Sequence, residues 1–146
     1  MEVQVSEIED FENWLNLAKE VEPLFGPMSG EELFQVGLKD LIIKEQAFCI
    51  KKGNDFCGAI AISKDENEIL WFAVSERFKN RGYGKLLLKF AMKNLDNTRN
   101  IIVQTFSEGI DAGEPARKLY KSLGFVDLKP SETNPAGYPT VIMVKS

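Results

Sequence analysis

Apolar residues recur along this chain with two alternating periods, and the switches between them mark its elements. Ile8, Phe11, Trp14, Leu15, Leu17, Ala18 and Val21 fall at helical spacing behind Ser6-x-x-Glu9, the pattern of a capping box, and Pro23 marks the expected stop. Pro27 and two glycines make 24–30 a loop, after which Leu33, Phe34, Val36, Leu38, Leu41 and Ile42 predict a second helix over 31–44. Ala47 to Lys51 and Phe56 to Ser63 read as a hairpin around Gly53-Asn54, with a short strand before the first helix at 2–5. Ile69 to Val74 is apolar at every position, as expected of a strand covered on both faces near the middle of a sheet. Helical spacing returns with Leu86, Leu87, Phe90, Ala91 and Leu95; Ile101 to Phe106 is β-branched and strand-like. A short helix then runs from Pro115 to a stop at Gly124, and 125–128 and 140–144 are the last strands, around a loop at 130–139.

The junction at 68–88 organises the rest, because it joins an apolar strand to an amphipathic helix through a basic turn holding Gly82 and Gly84. Two residues without Cβ let a ligand approach the backbone, and the helix that starts there leaves its first N–H groups unpaired. The helix dipole and Arg77, Lys79, Arg81 and Lys85 add positive potential, so the turn suits an anion. Hydrogen bonds to charged groups contribute about 1.5–3 kcal/mol each, enough in sum to hold a pyrophosphate. The same glycines also make an ordinary tight turn with solvated basic side chains. A Rossmann fingerprint needs a third glycine where Leu87 stands, and a P-loop needs Lys-Ser/Thr where the chain has Lys85-Leu86.

Composition narrows the chemistry. The 146 residues, 44% of them apolar, suit one domain spanning 1–146. A net charge of -4 argues against nucleic acid or an anionic membrane as partner, so the basic turn expects a small ligand. No apolar run is long enough to span a bilayer, and Met1-Glu2-Val3-Gln4 lacks the order of a signal peptide; the expected location is cytoplasmic. Cys49 and Cys57 flank the hairpin turn; a register through Gly53-Asn54 sets Cys57 opposite Ile50, so both are expected as free thiols. With no histidine in the chain, Ser-His and Cys-His nucleophiles and His-bearing zinc sites are excluded, and no metal is expected.

Lys79-Asn80-Arg81-Gly82-Tyr83-Gly84 resembles the acyl-CoA signature of the GNAT acyltransferase superfamily, Gln/Arg-x-x-Gly-x-Gly/Ala, with Lys79 in place of the usual planar side chain. Ala116-Arg117-Lys118-Leu119-Tyr120-Lys121-Ser122-Leu123-Gly124-Phe125 resembles the second GNAT motif, Ala-x-x-Leu-Tyr-x-x-x-Gly-Phe, in the right order along the chain. Relatives often carry asparagine three residues before the motif alanine, where this chain has Gly113. The resemblance covers about residue 68 to the end. It implies a mixed α/β GNAT fold: a central, mostly antiparallel, splayed sheet of about 6–7 strands with about four helices on both faces.

It further implies acetyl-CoA as co-substrate, wrapped at its pyrophosphate by the backbone from Arg81 to Lys85, with Lys79, Asn80 and Arg117 also expected as contacts. Phe72, Ala73 and Val74 are expected to pair with pantetheine as an added strand would. The partner implied is a primary amine, small molecule or peptide, on a monomer or homodimer. Relatives line the acceptor groove with the two N-terminal helices and their loop, making Trp14, Phe25, Met28 and Phe34 candidates; as apolar residues at helical spacing they also read as core. Glu68 stands where histone-type relatives carry a catalytic glutamate and is the candidate base, with Asp65 and Glu66 nearby. Tyr120 is the implied general acid, and the Val74 N–H is the candidate oxyanion donor. The expected reaction is direct N-acetylation in a ternary complex. The alternatives are a catalytically weak CoA-binding module on the same fold and an unrelated nucleotide-phosphate-binding domain.

Overall fold

The computed structural model describes residues 2–146; Met1, which heads the N-terminal stretch read above, lies outside them. One seven-stranded sheet runs through the protein, formed by β1 (Gln4–Val5), β2 (Ala47–Lys52), β3 (Asp55–Ser63), β4 (Glu68–Val74), β5 (Ile101–Phe106), β6 (Val126–Pro130) and β7 (Thr140–Lys145). The strand order is β1-β2-β3-β4-β5-β7-β6, and every neighbouring pair is antiparallel except β4 with β5. The helices are α1 (Phe11–Phe25), α2 (Glu32–Ile43), α3 (Tyr83–Lys93) and α4 (Glu114–Ser122). The mixed α/β class, the mostly antiparallel sheet and the four helices match the expectation. No helix among the described residues is long and apolar enough to cross a membrane.

The two faces of the sheet have different cores because β2 and β3 alternate in side-chain size. Ile50, Ile60 and Ile62 point to one face, where Leu87, Leu88 and Ala91 of α3 and Tyr120 of α4 cover them. Ala47, Cys49, Ala59 and Ala61 point to the other, and these small residues make room for Trp14 of α1, packed with Leu17, Leu38 and Ile42. Cys49 and Cys57 therefore face opposite sides and are both free. The hairpin register differs from the expected one: Ile50 pairs with Gly58 and Lys51 with Phe56, so a bulge leaves Cys57 as the extra residue of β3 and Cys49 opposite Ala59.

Two features of the first helix also differ. Ser6 does not cap it; its hydroxyl accepts from the buried Trp14 indole N–H at 2.9 Å, and the entry turn is closed by Glu7 N–H donating to Asp10 Oδ2 at 2.8 Å. A buried indole N–H needs an acceptor, and that requirement outweighs the capping box. Nor does Pro23 end the helix. It sits in the last turn, where its missing N–H costs one i→i−4 bond without breaking the helix, and the stop is Gly26 at φ 100°, whose N–H bonds Glu22 O at 2.7 Å.

β4 is central but not covered along its length. It pairs with β5 only at Glu68↔Ile102 and Ile69↔Val103, and the two strands diverge beyond. Asn67, fully buried at φ 54°, holds the joined ends together: its Nδ2 donates to Asp96 O and Asn100 O at 2.9 and 3.0 Å, and its Oδ1 accepts from Asp96 N–H at 2.8 Å. At the far side of the gap, Arg117 of α4 is 1% exposed, donating to Phe106 O at 3.2 Å and pairing with Asp127 of β6 at 3.0 Å. It ties α4 to the diverging end of β5.

Asp127→Ala leaves this guanidinium buried with no counter-charge, whereas Arg117→Met leaves an apolar chain, one carbonyl and a half-exposed carboxylate. Thermal or urea unfolding should show the first costing about 3 kcal/mol and the second less, about 1–2 kcal/mol; the reverse order would remove Arg117 as the burdened partner.

Candidate active site

Between the diverging strands lies a cavity of about 770 Å³ that reaches both faces of the sheet. On one face it is walled by Gly82, Tyr83 and Gly84 of α3 and by Ala116, Leu119 and Tyr120 of α4; on the other by Val21, Leu24 and Phe25 of α1 and by Asn134. Glu68 through Val74 form its floor along β4.

The glycine turn has the geometry its sequence suggests. Gly82 lies at φ 83° and Asn80 at φ 63°, left-handed conformations that curl the chain into the N-terminus of α3. A Cβ on Gly84 would come within 3.3 Å of Phe72 Cζ, so glycine there lets helix and strand approach closely. No side chain caps α3, and its first backbone bond is Leu86 N–H to Gly82 O at 3.2 Å; the preceding amides keep their donors free for an anion. Lys79 and Asn80 line the cavity with the two glycines and Tyr83. Arg81 and Lys85 are exposed outside it, and the guanidinium carbons of Arg77 and Arg81 each stand 5.2 Å from the Phe78 ring. Arg117 does not reach the cavity, being consumed by Asp127 and Phe106.

A bulge in β4 orients the floor. Ala61 faces Trp71 and Ile62 faces Ile69, which leaves Leu70 as the extra residue. Ile69, Phe72 and Val74 then pack on the α3 side, and Trp71 and Ala73 on the α1 side. Strand alternation turns Glu68, next to Ile69, toward α1. Burial is the main cause that raises the Glu68 pKa above an ordinary glutamate's, with Glu66 adding repulsion. Asp65 and Glu66 are exposed and do not line the cavity. Ser75 N–H donates to Cys57 O at 2.8 Å across to β3, so by alternation the Val74 and Phe72 amides point to the opposite, open edge.

Tyr120 is 3% exposed, with its ring 6.1 Å from Phe72 and 5.5 Å from Phe125. Burial pushes its phenol far above the usual tyrosine range, so it stays protonated. Gly113 cannot carry a side chain without rearrangement, since a Cβ would lie 2.5 Å from Phe106 Cβ; the usual asparagine is sterically excluded from this backbone.

Of the four apolar acceptor candidates, Phe25 alone reaches the cavity. Trp14 is wholly buried, Phe34 packs with the α1–α2 core, and Met28 takes the Trp71 indole N–H on its sulfur at 3.4 Å. Phe106, Gln104, Thr140 and Asn134, which the pattern of the sequence does not single out, line the same end. Asn134 donates to Leu24 O at 2.9 Å and accepts from Ala136 and Tyr138 N–H, each at 3.0 Å, clasping the β6–β7 loop to α1. The only trace in the sequence is the turn-forming run Asn134-Pro135-Ala136-Gly137. Among the described residues no group of three or more acidic or cysteine side chains is placed to hold a metal.

Comparison with known proteins fits this arrangement. No curated protein matches the sequence. A GNAT-family acetyltransferase from Bacillus cereus superposes with a TM-score of 0.74 at 20% identity, covering 99% of this chain and 95% of its own. A ribosomal-protein-alanine N-acetyltransferase from Brucella melitensis gives 0.77 at 12%, covering 99% of each chain, and a NatC complex bound to Gag peptide and CoA gives 0.73 at 16%, covering 99% and 98%. The model of the acetyltransferase (GNAT) domain matches residues 44–127, more than half of the 146-residue chain. With the glycine turn, the splayed strands and that match in agreement, the chain belongs to the GNAT acetyltransferase family.

Proposed function

We propose that this protein transfers the acetyl group of acetyl-CoA directly to a primary amine within a ternary complex. The observation that carries the reading is the passage between β4 and β5, which has an anion-binding helix terminus at one mouth and a partly desolvated carboxylate at the other. Acetyl-CoA enters from the α3 side, its pyrophosphate on the free amides at the start of α3 and its pantetheine along Phe72 to Val74. The NatC complex, whose structure holds Gag peptide and CoA together, lends support.

An alkylammonium with a pKa near 10.4 costs about 4.6 kcal/mol to deprotonate at neutral pH. Glu68 takes that proton, directly or through water, and its raised pKa makes it a better base than a solvated glutamate. The amine nitrogen then bonds to the thioester carbon, and the carbonyl oxygen gains charge beside the Val74 N–H. Collapse breaks the carbon–sulfur bond, the nitrogen gives up its second proton to water as the amide forms, and the CoA thiolate is released next to Tyr120. A thiol of pKa near 8.5 is already about 2 kcal/mol short of taking a proton from an ordinary tyrosine, and burial of Tyr120 widens the gap. Tyr120 therefore donates a hydrogen bond to the sulfur, and the thiolate finishes as an anion or takes its proton from water.

Calorimetric titration of acetyl-CoA should give a Kd of about micromolar for the wild type, and no binding for Gly82→Trp, which puts a bulky left-handed residue into the cradle. Equal affinity for both proteins would exclude the glycine turn as the CoA site. Tyr120→Phe should keep that affinity while lowering kcat about 10- to 100-fold; an unchanged kcat would remove Tyr120 from the reaction.

Glu68→Gln should lower kcat about 100-fold and abolish an acid limb lying above the ordinary glutamate range. The folded-state pKa of Glu68 exceeds the unfolded one, so its charge weakens the fold above the folded pKa and ceases to as it protonates. Melting curves should therefore place Glu68→Gln above the wild type at neutral pH, the difference closing as pH falls through the carboxylate range.

A further inference from the structure

The two mouths of the passage carry opposite charge. On the α3 side, residues 76–93 hold six lysines and arginines against a single acid, Glu76, which is paired to Lys79 at 3.0 Å. On the α1 side the balance inverts: residues 1–46 hold eleven carboxylates and three lysines. The segments that frame this mouth are 20–34, which contributes Leu24 and Phe25, and 131–139, which contributes Asn134. They contain Glu20, Glu22, Glu31, Glu32 and Glu132 and no lysine or arginine; none of the five carboxylates lines the cavity itself, so their effect on a ligand is that of charge at a distance.

Glu22 and Glu20 are held by neutral hydrogen-bond donors. Glu22 accepts from Met28 N–H, Ser29 N–H and the Ser29 hydroxyl at 2.7–2.8 Å, holding the α1–α2 loop in place, and these bonds keep its carboxyl below the usual range. Glu20 accepts from the Ser75 hydroxyl at 3.0 Å and from Glu76 N–H at 2.8 Å. Of the three N-terminal lysines, Lys44 is taken by Asp40 at 2.9 Å, Lys19 lies beside Glu22, and Lys39 covers the Phe11 ring at 4.7 Å. Deeper in, the one charged side chain on the α1 side of the floor is Glu68.

We propose that the acceptor is an amine carrying at least one further positive charge beyond the nitrogen that is acetylated. The inference rests on the transferase reading and narrows it. Charged walls on a low-dielectric cleft concentrate ligands of opposite sign and repel like ones. Polyanionic CoA is drawn to the α3 mouth and excluded from the α1 mouth, and a cationic acceptor the reverse, so one passage sorts its two reactants by sign. An acceptor with a carboxylate near its amine meets repulsion from the framing glutamates and from Glu68.

The test uses three primary amines on a six-carbon chain, hexamethylenediamine, hexylamine and ε-aminocaproate, with the rate of the diamine halved for its two equivalent amines. Their binding to CoA-loaded protein is measured by calorimetry and their acetylation by CoA release. Each loss of positive charge should lower affinity and kcat/KM about tenfold, and the spread should shrink as salt rises from about 0.05 to about 0.5 M. In a Glu31→Gln, Glu32→Gln, Glu132→Gln variant, whose changes are exposed and outside the reacting groups, the preference for diamine over hexylamine should narrow. Spermidine against a lysine tripeptide, run alongside, distinguishes a free polyamine from a basic peptide as the source of the charge. Equal or reversed ranking of the three amines, or a ranking indifferent to salt, overturns the inference and leaves the transferase reading intact. The expected ranking in binding without CoA release from any acceptor overturns the transferase reading and retains the cationic site.

Discussion

Everything at the site depends on two parallel strands that pair at one end and part at the other. β4 and β5 share two residue pairs, and the buried Asn67 stitches the joined ends through three hydrogen bonds to the segment leading into β5. Past that point the edge of β4 offers its backbone to the gap, including the Val74 amide. Backbone donors at such an edge need no side chain to hold them, and no substitution short of proline removes them. The opening survives because other contacts keep β5 away: it turns to full antiparallel pairing with β7, and Arg117 anchors Phe106 O to α4.

The asymmetric core follows from the same division. Isoleucines on one face of β2 and β3 match the leucines of α3, and alanines and cysteine on the other admit Trp14. A single bulge at Leu70 then sorts the β4 side chains, sending Phe72 and Val74 toward α3 and turning Glu68 toward α1. One extra residue thus decides which side of the sheet the carboxylate faces.

The site is kept at some expense to the fold. Glu68 is held where burial disfavours its charge, Tyr120 is buried in an apolar setting, and Leu70 stands 46% exposed on a strand that a closed sheet would cover. Such features weaken a structure and persist where the surroundings over-determine them. Here those surroundings are the Asn67 stitch, the Arg117 pin and the Asn134 clasp.

The sequence by itself determined what is local. The strand–turn–helix cradle, the helix bearing Tyr120, the element order and the exclusion of histidine chemistry were legible, because glycine positions, helical spacing and composition act within a dozen residues of chain. The tertiary structure decided what depends on distant partners. Helical spacing marks the apolar face of α1 and not how far along it the cavity extends, so Trp14 and Phe25 look alike in sequence while the alanines of β3 bury one and leave the other at the cavity. Arg117 sits inside a CoA-type motif, yet Asp127 and Phe106 draw it into the core. Asn134 reaches Leu24 across 110 residues, and the β3 and β4 bulges shift registers that turn chemistry alone leaves open. Each of these is a choice between contacts of similar local merit, settled only when the far side of the chain is in place.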